Sequence, residues 1–205
     1  MKPRILIVAL GVAVLSIGLV AQQAPAPTPA PAPTPAAPPQ GGGRGPAPLL
    51  VPNPHYASVL MTIDVSAPVD KVWARVGKYC DIGEWGGFGN CTIVSGTDGV
   101  VGVVRSIGSE IMVAKTQYSY TYAQPVRTTG FYNMYHGTLE ARALTPTTTQ
   151  LHYILFFDNS NLADDAARET DINNRRTRFT GMLQNMKILA EGGTLPARGR
   201  GALAP

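Results

Sequence analysis

Apolar and polar residues alternate from Ser58 to Val65, close to the point where regular patterning begins. An apolar residue at every second position turns one face of a β-strand towards a core and leaves the other face in water. The core face of this predicted first strand carries Val59, Met61, Ile63 and Val65. The chain therefore enters its folded region through a half-buried strand.

The spacing becomes helical directly after this strand. Ser66, as a capping hydroxyl, and Pro68, in the first turn, predict the start of a helix. Its apolar stripe carries Val69, Val72, Trp73 and Val76. Gly77 weakens this short helix. The glycine-rich stretch from Tyr79 to Asn90 predicts a second short helix or turn that leads into a loop.

Strand patterns then follow one another, separated by turn residues at intervals that suit antiparallel pairing. The segments are Cys91–Ser95, Val100–Ile107, Glu110–Gln117, a stripe of Tyr118, Tyr120 and Tyr122, Phe131–Leu144 and Gln150–Phe157. In the last two, the predicted inward positions are Tyr135, Gly137, Leu139, Leu151, Tyr153, Leu155 and Phe157. The opposite face, with His136 and His152, is expected to be wet. The tyrosine stripe fits either face equally well.

A long helical pattern ends the folded region. Asn159–Asn161 offers capping side chains, and Asp164 and Asp165 would follow in the first turn. Pairs at a spacing of four residues are Asp164 with Arg168 and Asp171 with Arg175. The apolar stripe carries Phe179, Met182, Leu183, Met186, Leu189 and Ala190. A helix of about 28 residues would be about 40 Å long. The order of elements predicts an α+β fold in which this helix packs on a curved antiparallel sheet.

The N-terminus has the layout of a secretory signal. A short positive segment, Met1–Arg4, precedes the uncharged apolar run Ile5–Val20. We expect residues 1–21 to be a signal peptide and the protein to be periplasmic or secreted. The alternative is an uncleaved segment that anchors the chain in a membrane, since the run approaches the shortest length that spans a bilayer.

Composition divides the rest of the chain. Residues 22–52 are rich in Pro, Ala and Gly and predict a flexible tether without a core. Residues 53–193 form one domain, and residues 194–205 form a tail. Of the 17 basic residues, twelve lie in the domain, which also holds all 13 acidic residues and therefore has a net charge of −1. This charge balance argues against a nucleic-acid partner, whose phosphates need a basic surface.

Cys80 and Cys91 are the only cysteines. An even number of cysteines in an exported chain favours a disulfide, and the flexible glycine-rich loop between them would allow it to close. A pair of metal ligands is the alternative, although no histidine lies nearby and the spacing is not CxxC. We therefore expect a disulfide and no metal site.

Several motifs resemble the helix-grip superfamily of START, Bet v 1-like and polyketide cyclase/dehydrase-like proteins, often called SRPBCC. The segment Val65–Trp73 resembles the opening strand and helix of that superfamily. Tyr79–Trp85 followed by Cys91 is similar to a subgroup with paired cysteines around a tryptophan, and Val101–Arg105 resembles its x-G-x-x-R strand. The resemblance covers about residues 57–191. It implies two short helices after the first strand and a sheet wrapped around the C-terminal helix.

The resemblance also implies a ligand cavity between the sheet and that helix. The residues expected to line it are Trp85, Arg105, Tyr120, Tyr135, Tyr153, Phe157, Phe179, Met182 and Met186. Trp85 would act either as a lid or as a structural wedge beside the disulfide. Arg105 would either bind a ligand carboxylate or form a salt bridge at the surface or sheet edge.

Catalysis has less support. Neither a GxSxG nor an HExxH motif occurs, and no phosphate-binding loop is present, so we expect no cofactor. His136 and Glu110 are the weak candidates for an acid–base pair in a cyclisation or dehydration. The leading hypothesis is a module that encloses a small hydrophobic or amphipathic ligand. The alternatives are a cyclase or dehydratase that uses the same cavity, and an accessory module for a partner protein.

Overall fold

The computed structural model describes residues 50–126 and 132–196. The predicted signal peptide, the tether up to residue 49 and the tail from residue 197 lie outside these residues, as does the predicted strand start at Phe131. The elements are β1 Tyr56–Val65, α1 Val69–Val76, α2 Ile82–Trp85, β2 Ile93–Ser95, β3 Val104–Arg105, β4 Ile111–Lys115, β5 Ser119–Ala123, β6 Asn133–Thr145, β7 Thr148–Asp158 and α3 Asp165–Ala190. In these described residues, no helix is long and apolar enough to cross a membrane.

The strands form one curved, unclosed antiparallel sheet in the order β1-β7-β6-β5-β4-β3-β2. The first and last strands pair along their whole common length, from Tyr56 opposite Asp158 to Val65 opposite Thr149. α3 follows β7 in the chain and packs on the inner face of the sheet. The predicted α+β helix-grip fold, with two short helices after the first strand, is confirmed.

Burial follows the two periodicities that predicted the elements. Val59, Met61 and Val65 are buried on β1, and Val72 and Val76 are buried on α1. The buried residues of α3 are Phe179, Met182, Leu183, Met186 and Leu189. These faces meet in one hydrophobic core between the sheet and the helices.

The disulfide between Cys80 and Cys91 is present and encloses α2. This confirms the expected pairing. Because both sulfur atoms are bonded to each other, the alternative of two free metal ligands does not apply.

The residues that start the helices differ from those predicted. The residue before α1 is Pro68, and no side chain caps this helix. Ser66 does not act as the cap; its backbone N–H donates to the Glu191 carboxylate at 2.7 Å. This contact fixes the end of β1 to the end of α3.

The cap of α3 is Asp164, whose carboxylate accepts from the Ala167 N–H at 2.8 Å, and not a residue of Asn159–Asn161. Asn159 is buried and its side-chain oxygen instead contacts the His55 ring. Because Asp164 caps the helix, Arg168 pairs with Asp165. The predicted pair of Asp171 with Arg175 is confirmed.

The segment Val100–Ile107 was also predicted too long, because only Val104–Arg105 forms a strand. Gly99 and Gly102 have φ values of 73° and 94°. These left-handed conformations belong to a turn and end the ladder before β3.

Candidate ligand-binding site

The interior face of the sheet is aromatic along β5, β6 and β7. Cross-strand register aligns alternating positions of these three strands in rows. The buried positions include Tyr120, Tyr122, Tyr135, Leu139, Leu151, Tyr153, Leu155 and Phe157. The inward face predicted for β6 and β7 is therefore confirmed, but His152 on the opposite face is buried at 7% exposure and not wet as expected. The tyrosine stripe of β5 faces inward as well, with Tyr118 only partly buried at its end.

A glycine on β6 makes room for one of these rings. Gly137 lies opposite Tyr122, and a Cβ atom at Gly137 would overlap the Tyr122 phenol. The Tyr122 ring therefore lies flat across the neighbouring strand and reaches β7. Its hydroxyl is 3.0 Å from the hydroxyl of Tyr153. The sheet thus brings two phenol groups together inside the domain.

Arg105 is buried in the same interior. Its side chain is 0% exposed, although the sequence favoured a salt bridge at the surface or sheet edge. Its Nε donates to the Glu110 carboxylate at 2.6 Å, and its Nη1 donates to the Tyr79 carbonyl at 2.5 Å. Glu110 is 3% exposed and also accepts from Gln124 at 3.0 Å. A buried guanidinium needs a compensating charge, and Glu110 supplies it.

Tyrosine rings surround the Arg105 guanidinium. Its central carbon is 4.3 Å from the Tyr79 ring centroid, 4.8 Å from that of Tyr122 and 5.9 Å from that of Tyr120. These distances lie within cation–π range. Burial raises the pKa of Tyr120, Tyr122 and Tyr153. The phenols therefore stay neutral and can both donate and accept hydrogen bonds.

One of these phenols is incompletely satisfied. The Tyr120 hydroxyl is buried and makes no hydrogen bond of good geometry within the described residues, although the Arg105 guanidinium lies near enough to act on it by its charge and as a weak donor. A buried polar atom without a partner costs about 1–3 kcal/mol. Such an atom marks a position where a further hydrogen-bonding group would be stabilised.

The second half of α3 covers the interior with apolar side chains. Phe179 packs on Tyr153 with ring centroids 4.7 Å apart, and Met182 and Met186 are buried beside it. Thioether side chains adapt to irregular surfaces, so this part of the wall can follow different shapes.

The first half of α3 covers the interior differently. Arg175 lies over the rings of Tyr132, Tyr135 and Phe157, at 4.1, 5.3 and 4.6 Å from their centroids. Its Nε donates to the Asp171 carboxylate at 3.1 Å, and the Tyr132 hydroxyl donates to the same carboxylate at 2.7 Å. A charged pair with side chains 18% exposed therefore closes this end of the core. We call these four residues, Tyr132, Tyr135, Asp171 and Arg175, the rim cluster.

Trp85 lies inside the domain and is 0% exposed. Its indole N–H donates to the Val76 carbonyl at 3.2 Å, and its ring meets Tyr153 edge-on. Asn185 of α3 donates to the Trp85 carbonyl at 2.8 Å. These contacts make Trp85 a wedge that joins α1, α2 and α3, rather than an exposed lid.

The structure does not bring His136 and Glu110 together. His136 lies between two inward-facing positions of β6, so its side chain is on the outer face, where Nδ1 is 2.8 Å from the Met134 carbonyl. Glu110 is inside and bound to Arg105. The sheet separates the two side chains, so they form no acid–base pair.

The nine residues that the sequence assigned to a cavity all lie in this interior, with exposures from 0% to 7%. Their contact with a ligand remains a prediction. Within residues 50–126 and 132–196, no cluster of three or more His, Cys, Asp or Glu side chains is arranged to hold a metal ion.

Comparison with known sequences places this arrangement in a family. The sequence model described as polyketide cyclase/dehydrase and lipid transport matches residues 56–191. The chain belongs to this family. The comparison with curated proteins found no match.

Solved structures share the fold at low sequence identity. A protein from Thermobifida fusca superposes with a TM-score of 0.55 at 17% identity, covering 68% of this chain and 97% of that one. The ZhuI aromatase/cyclase from Streptomyces sp. R1128 has a TM-score of 0.51 at 19% identity, covering 68% and 100%. Truncated norcoclaurine synthase from Thalictrum flavum has a TM-score of 0.51 at 10% identity, covering 69% and 97%. At these identities the likeness concerns the fold alone.

Within the polyketide cyclase/dehydrase and lipid transport family, what a member binds depends on the side chains of its own site. The sequence analysis missed the roles of Tyr79 and Arg175 in this site, and it left open whether Tyr122 faces the interior. One signal for Arg175 was available, because it lies four residues before Phe179, where the apolar stripe of the helix would continue. A charged residue at a position of the apolar stripe indicates that the surface beneath this part of the helix is less apolar than the surface beneath the rest of it.

Proposed function

We propose that residues 53–193 form an exported binding module, which encloses a small hydrophobic or amphipathic ligand between the sheet and α3. The ligand would be lipid-, polyketide- or aromatic-like. The observation that carries the proposal is the set of neutral phenols on the inward face, with the Tyr120 hydroxyl lacking a well-formed hydrogen bond. A core built only for stability is better served by apolar side chains at such positions.

The charges of the interior narrow the ligand class. Arg105 is neutralised by Glu110, and Arg175 is paired with Asp171. A ligand carboxylate would have to compete with these acids or remain buried without a counter-ion, which is costly. Hydroxyl and carbonyl oxygens can bond to Tyr120, Tyr122 and Tyr153 without that cost. The proposed ligand is therefore uncharged in its buried part and carries oxygen.

Export is supported by two features of the chain. The N-terminal segment 1–21 has the layout of a secretory signal. The disulfide of Cys80 with Cys91 suits an oxidising compartment. A periplasmic or secreted location is therefore part of the proposal, with the tether as a spacer.

Native mass spectrometry of the mature protein from its own host tests the proposal directly. The expected result is a near-stoichiometric mass above that of the polypeptide, which denaturation releases as a small neutral molecule. The mass of the polypeptide also shows whether the signal segment has been cleaved. A bare polypeptide that also fails to bind apolar probes would contradict the proposal and favour a solid-core accessory module.

A matched pair of probes tests the ligand class. 1-Naphthol and 1-naphthoate have the same ring system, and only the second carries a negative charge. We expect 1-naphthol to bind more tightly. The double variant Tyr122→Phe/Tyr153→Phe should weaken 1-naphthol binding about 5- to 30-fold, because it removes one or two hydrogen bonds that are worth about 1 kcal/mol each.

Tyr56→Phe is the control for these variants, because Tyr56 is 48% exposed and lies outside the interior. It should leave the affinity unchanged. Tighter binding of 1-naphthoate would contradict the assignment of a neutral ligand, and equal effects of the interior and control variants would contradict the assigned site.

A further inference from the structure

A hollow lies outside the interior, between the C-terminal end of α1, the turn before β3, and strands β4 and β5. Its volume is about 200 Å³. Tyr79 and Tyr120 form part of its wall, and their rings lie between this hollow and the buried Arg105 guanidinium. The hollow therefore shares a wall with the interior site but opens elsewhere on the surface.

The wall of this hollow is aromatic and apolar. Trp73 and Tyr120 have ring centroids 6.0 Å apart at 51°, and Tyr79 meets Tyr120 edge-on at 5.3 Å. Met112 adds a buried thioether. Gly77 lets the Trp73 indole lie against the backbone, since a Cβ atom there would overlap that ring. Three aromatic rings at different angles offer both faces and edges to another ring.

The mouth of the hollow carries more positive than negative charge. Lys78, Lys115 and Asp98 line it. None of the three belongs to a salt bridge in the part of the chain that the structure describes. Asp81 lies near Lys78 and accepts a hydrogen bond from its backbone. Asp81 does not itself line the hollow, so the lining side chains carry two ammonium groups and one carboxylate, an excess of one positive charge that favours an anion.

Lys115 is held in position across this mouth. Its Nζ donates to the Gly99 carbonyl at 2.7 Å. A Cβ atom at Gly99 would lie only 3.2 Å from that Nζ, and the φ of Gly99 is 73°. Glycine at this turn thus allows both the backbone conformation and the close approach of the ammonium group. The ammonium keeps two further N–H donors for a bound anion.

The volume limits what the hollow can hold. An apolar cavity of about 150 Å³ accommodates a benzene molecule. A hollow of about 200 Å³ therefore suits one aromatic ring with a short substituent, and it is too small for a fused polycyclic ligand.

We propose that this hollow is a binding site for a single-ring aromatic carboxylate. The ring packs among Trp73, Tyr120 and Met112, and the carboxylate reaches the ammonium groups of Lys78 and Lys115. This site differs from the interior site in its preferred charge, because Arg105 and Arg175 form salt bridges, whereas Lys78 and Lys115 form none in the described residues. It does not depend on the function proposed above.

The test uses the folded domain in solution and three probes with the same ring: phenylacetate, phenylacetamide and phenethylamine. Amide and indole N–H chemical shifts are recorded by NMR during each titration. Phenylacetate should shift the Trp73 indole and the amides of Gly77 and Gly99 with a millimolar Kd. Phenylacetamide should bind several-fold more weakly, and phenethylamine should bind least.

Two variants locate the site. Ala74→Leu fills the hollow from an exposed position of α1 and should weaken phenylacetate binding at least tenfold. Ala166→Leu makes the same change on an exposed position of α3 and should have no effect. Lys115→Met should weaken phenylacetate about two- to fivefold and leave phenylacetamide unchanged, the scale of an exposed ion pair.

Each possible outcome either supports the proposed site or overturns it. Shifts confined to the hollow, lost in Ala74→Leu and kept in Ala166→Leu, support the proposal. Absence of shifts at millimolar phenylacetate, shifts centred on interior residues in both variants, or equal binding of phenethylamine would overturn it. If Ala74→Leu loses its folded spectrum, Lys115→Met decides, since a loss of discrimination between phenylacetate and phenylacetamide requires the ammonium group.

Discussion

Two arginines of this domain lie over tyrosine rings, one fully buried and the other partly exposed. The Arg105 side chain is 0% exposed and its partner Glu110 is 5% exposed at the side chain. The Arg175 and Asp171 side chains are each 18% exposed. Both arginines combine an ion pair with cation–π contacts, so the difference lies in their access to water and not in the type of contact.

That difference changes what each pair can do. If Glu110 is removed, water cannot reach Arg105 to replace it, so the interior depends on the pair being intact. At the rim cluster, water can solvate Arg175 if Asp171 moves away. We therefore expect the interior pair to stay intact and the rim cluster to rearrange at smaller cost, so that a ligand of the proposed kind would enter through the rim cluster.

The largest expected effect is that of Glu110→Gln. It leaves a buried guanidinium without its counter-charge and should lower the free energy of unfolding by about 3–5 kcal/mol. Denaturant unfolding followed by circular dichroism measures this change. Glu84→Gln is the matched control, because the pair of Glu84 with Arg75 is exposed and is worth at most about 1 kcal/mol.

A double variant sharpens the same prediction. Arg105→Met/Glu110→Leu removes both charges and should be much less destabilised than Glu110→Gln, because no uncompensated charge remains. Equal losses in Glu110→Gln and Glu84→Gln would refute the contrast between buried and exposed pairs.

The disulfide gives the next largest effect. Cys80 follows Tyr79, whose carbonyl accepts the Arg105 Nη1–H, so the bond constrains the segment that holds the interior pair. Replacing both cysteines by serine should cost about 3 kcal/mol for a loop of this length. Denaturant unfolding measures the loss, and the wild-type protein under reducing conditions should match the variant. An unchanged stability would show that the segment is held by its other contacts.

Alkaline pH tests the burial of both tyrosine groups. Burial raises the pKa of Tyr135 in the rim cluster to about 12, and it also raises the pKa of Tyr122 and Tyr153 well above 10. In the unfolded chain these phenols titrate near 10. Between pH 10 and 12 the unfolded state loses protons that the folded state keeps, so the free energy of unfolding falls as pH rises. Tyr135 alone contributes a loss of about 2–3 kcal/mol over this range.

Phenolate absorbance during a pH titration checks this prediction. Tyr122, Tyr135 and Tyr153 should keep their protons above pH 10 as long as the protein is folded. Tyr135→Phe should remove one ionisation step and extend the stable range to higher pH. Ionisation of every tyrosine in one step near pH 10, while the fold persists, would contradict the burial of the phenols.

The sequence predicted the elements and their buried faces well, because buried residues recur at regular intervals along a strand or a helix. A period of two marked the inward residues of β6 and β7, and helical spacing marked the apolar stripe in the second half of α3. These signals depend on neighbours along the chain, which a sequence displays directly.

Side-chain partners were harder to predict, because they depend on the return path of the chain. Glu110 reaches Arg105 through a turn in which Gly108 and Ser109 have φ values of 61° and 52°. No spacing rule indicates that a serine adopts this conformation. Likewise asparagine is a residue type that often caps helices. The Asn159 side chain does not cap α3, because it contacts His55, more than a hundred residues away in the sequence.

The smallest effect is expected at the rim cluster, where Asp171→Asn removes one charge from a partly buried pair. The free energy of unfolding should fall by no more than about 1 kcal/mol, because water and the aromatic faces of Tyr132 and Phe157 still stabilise Arg175. Added salt should reduce the difference further, since screening weakens partly exposed pairs. Unfolding at low and high salt measures both quantities. A loss as large as that of Glu110→Gln would show that the rim pair is as rigid as the interior pair, and it could then not open for a ligand at small cost.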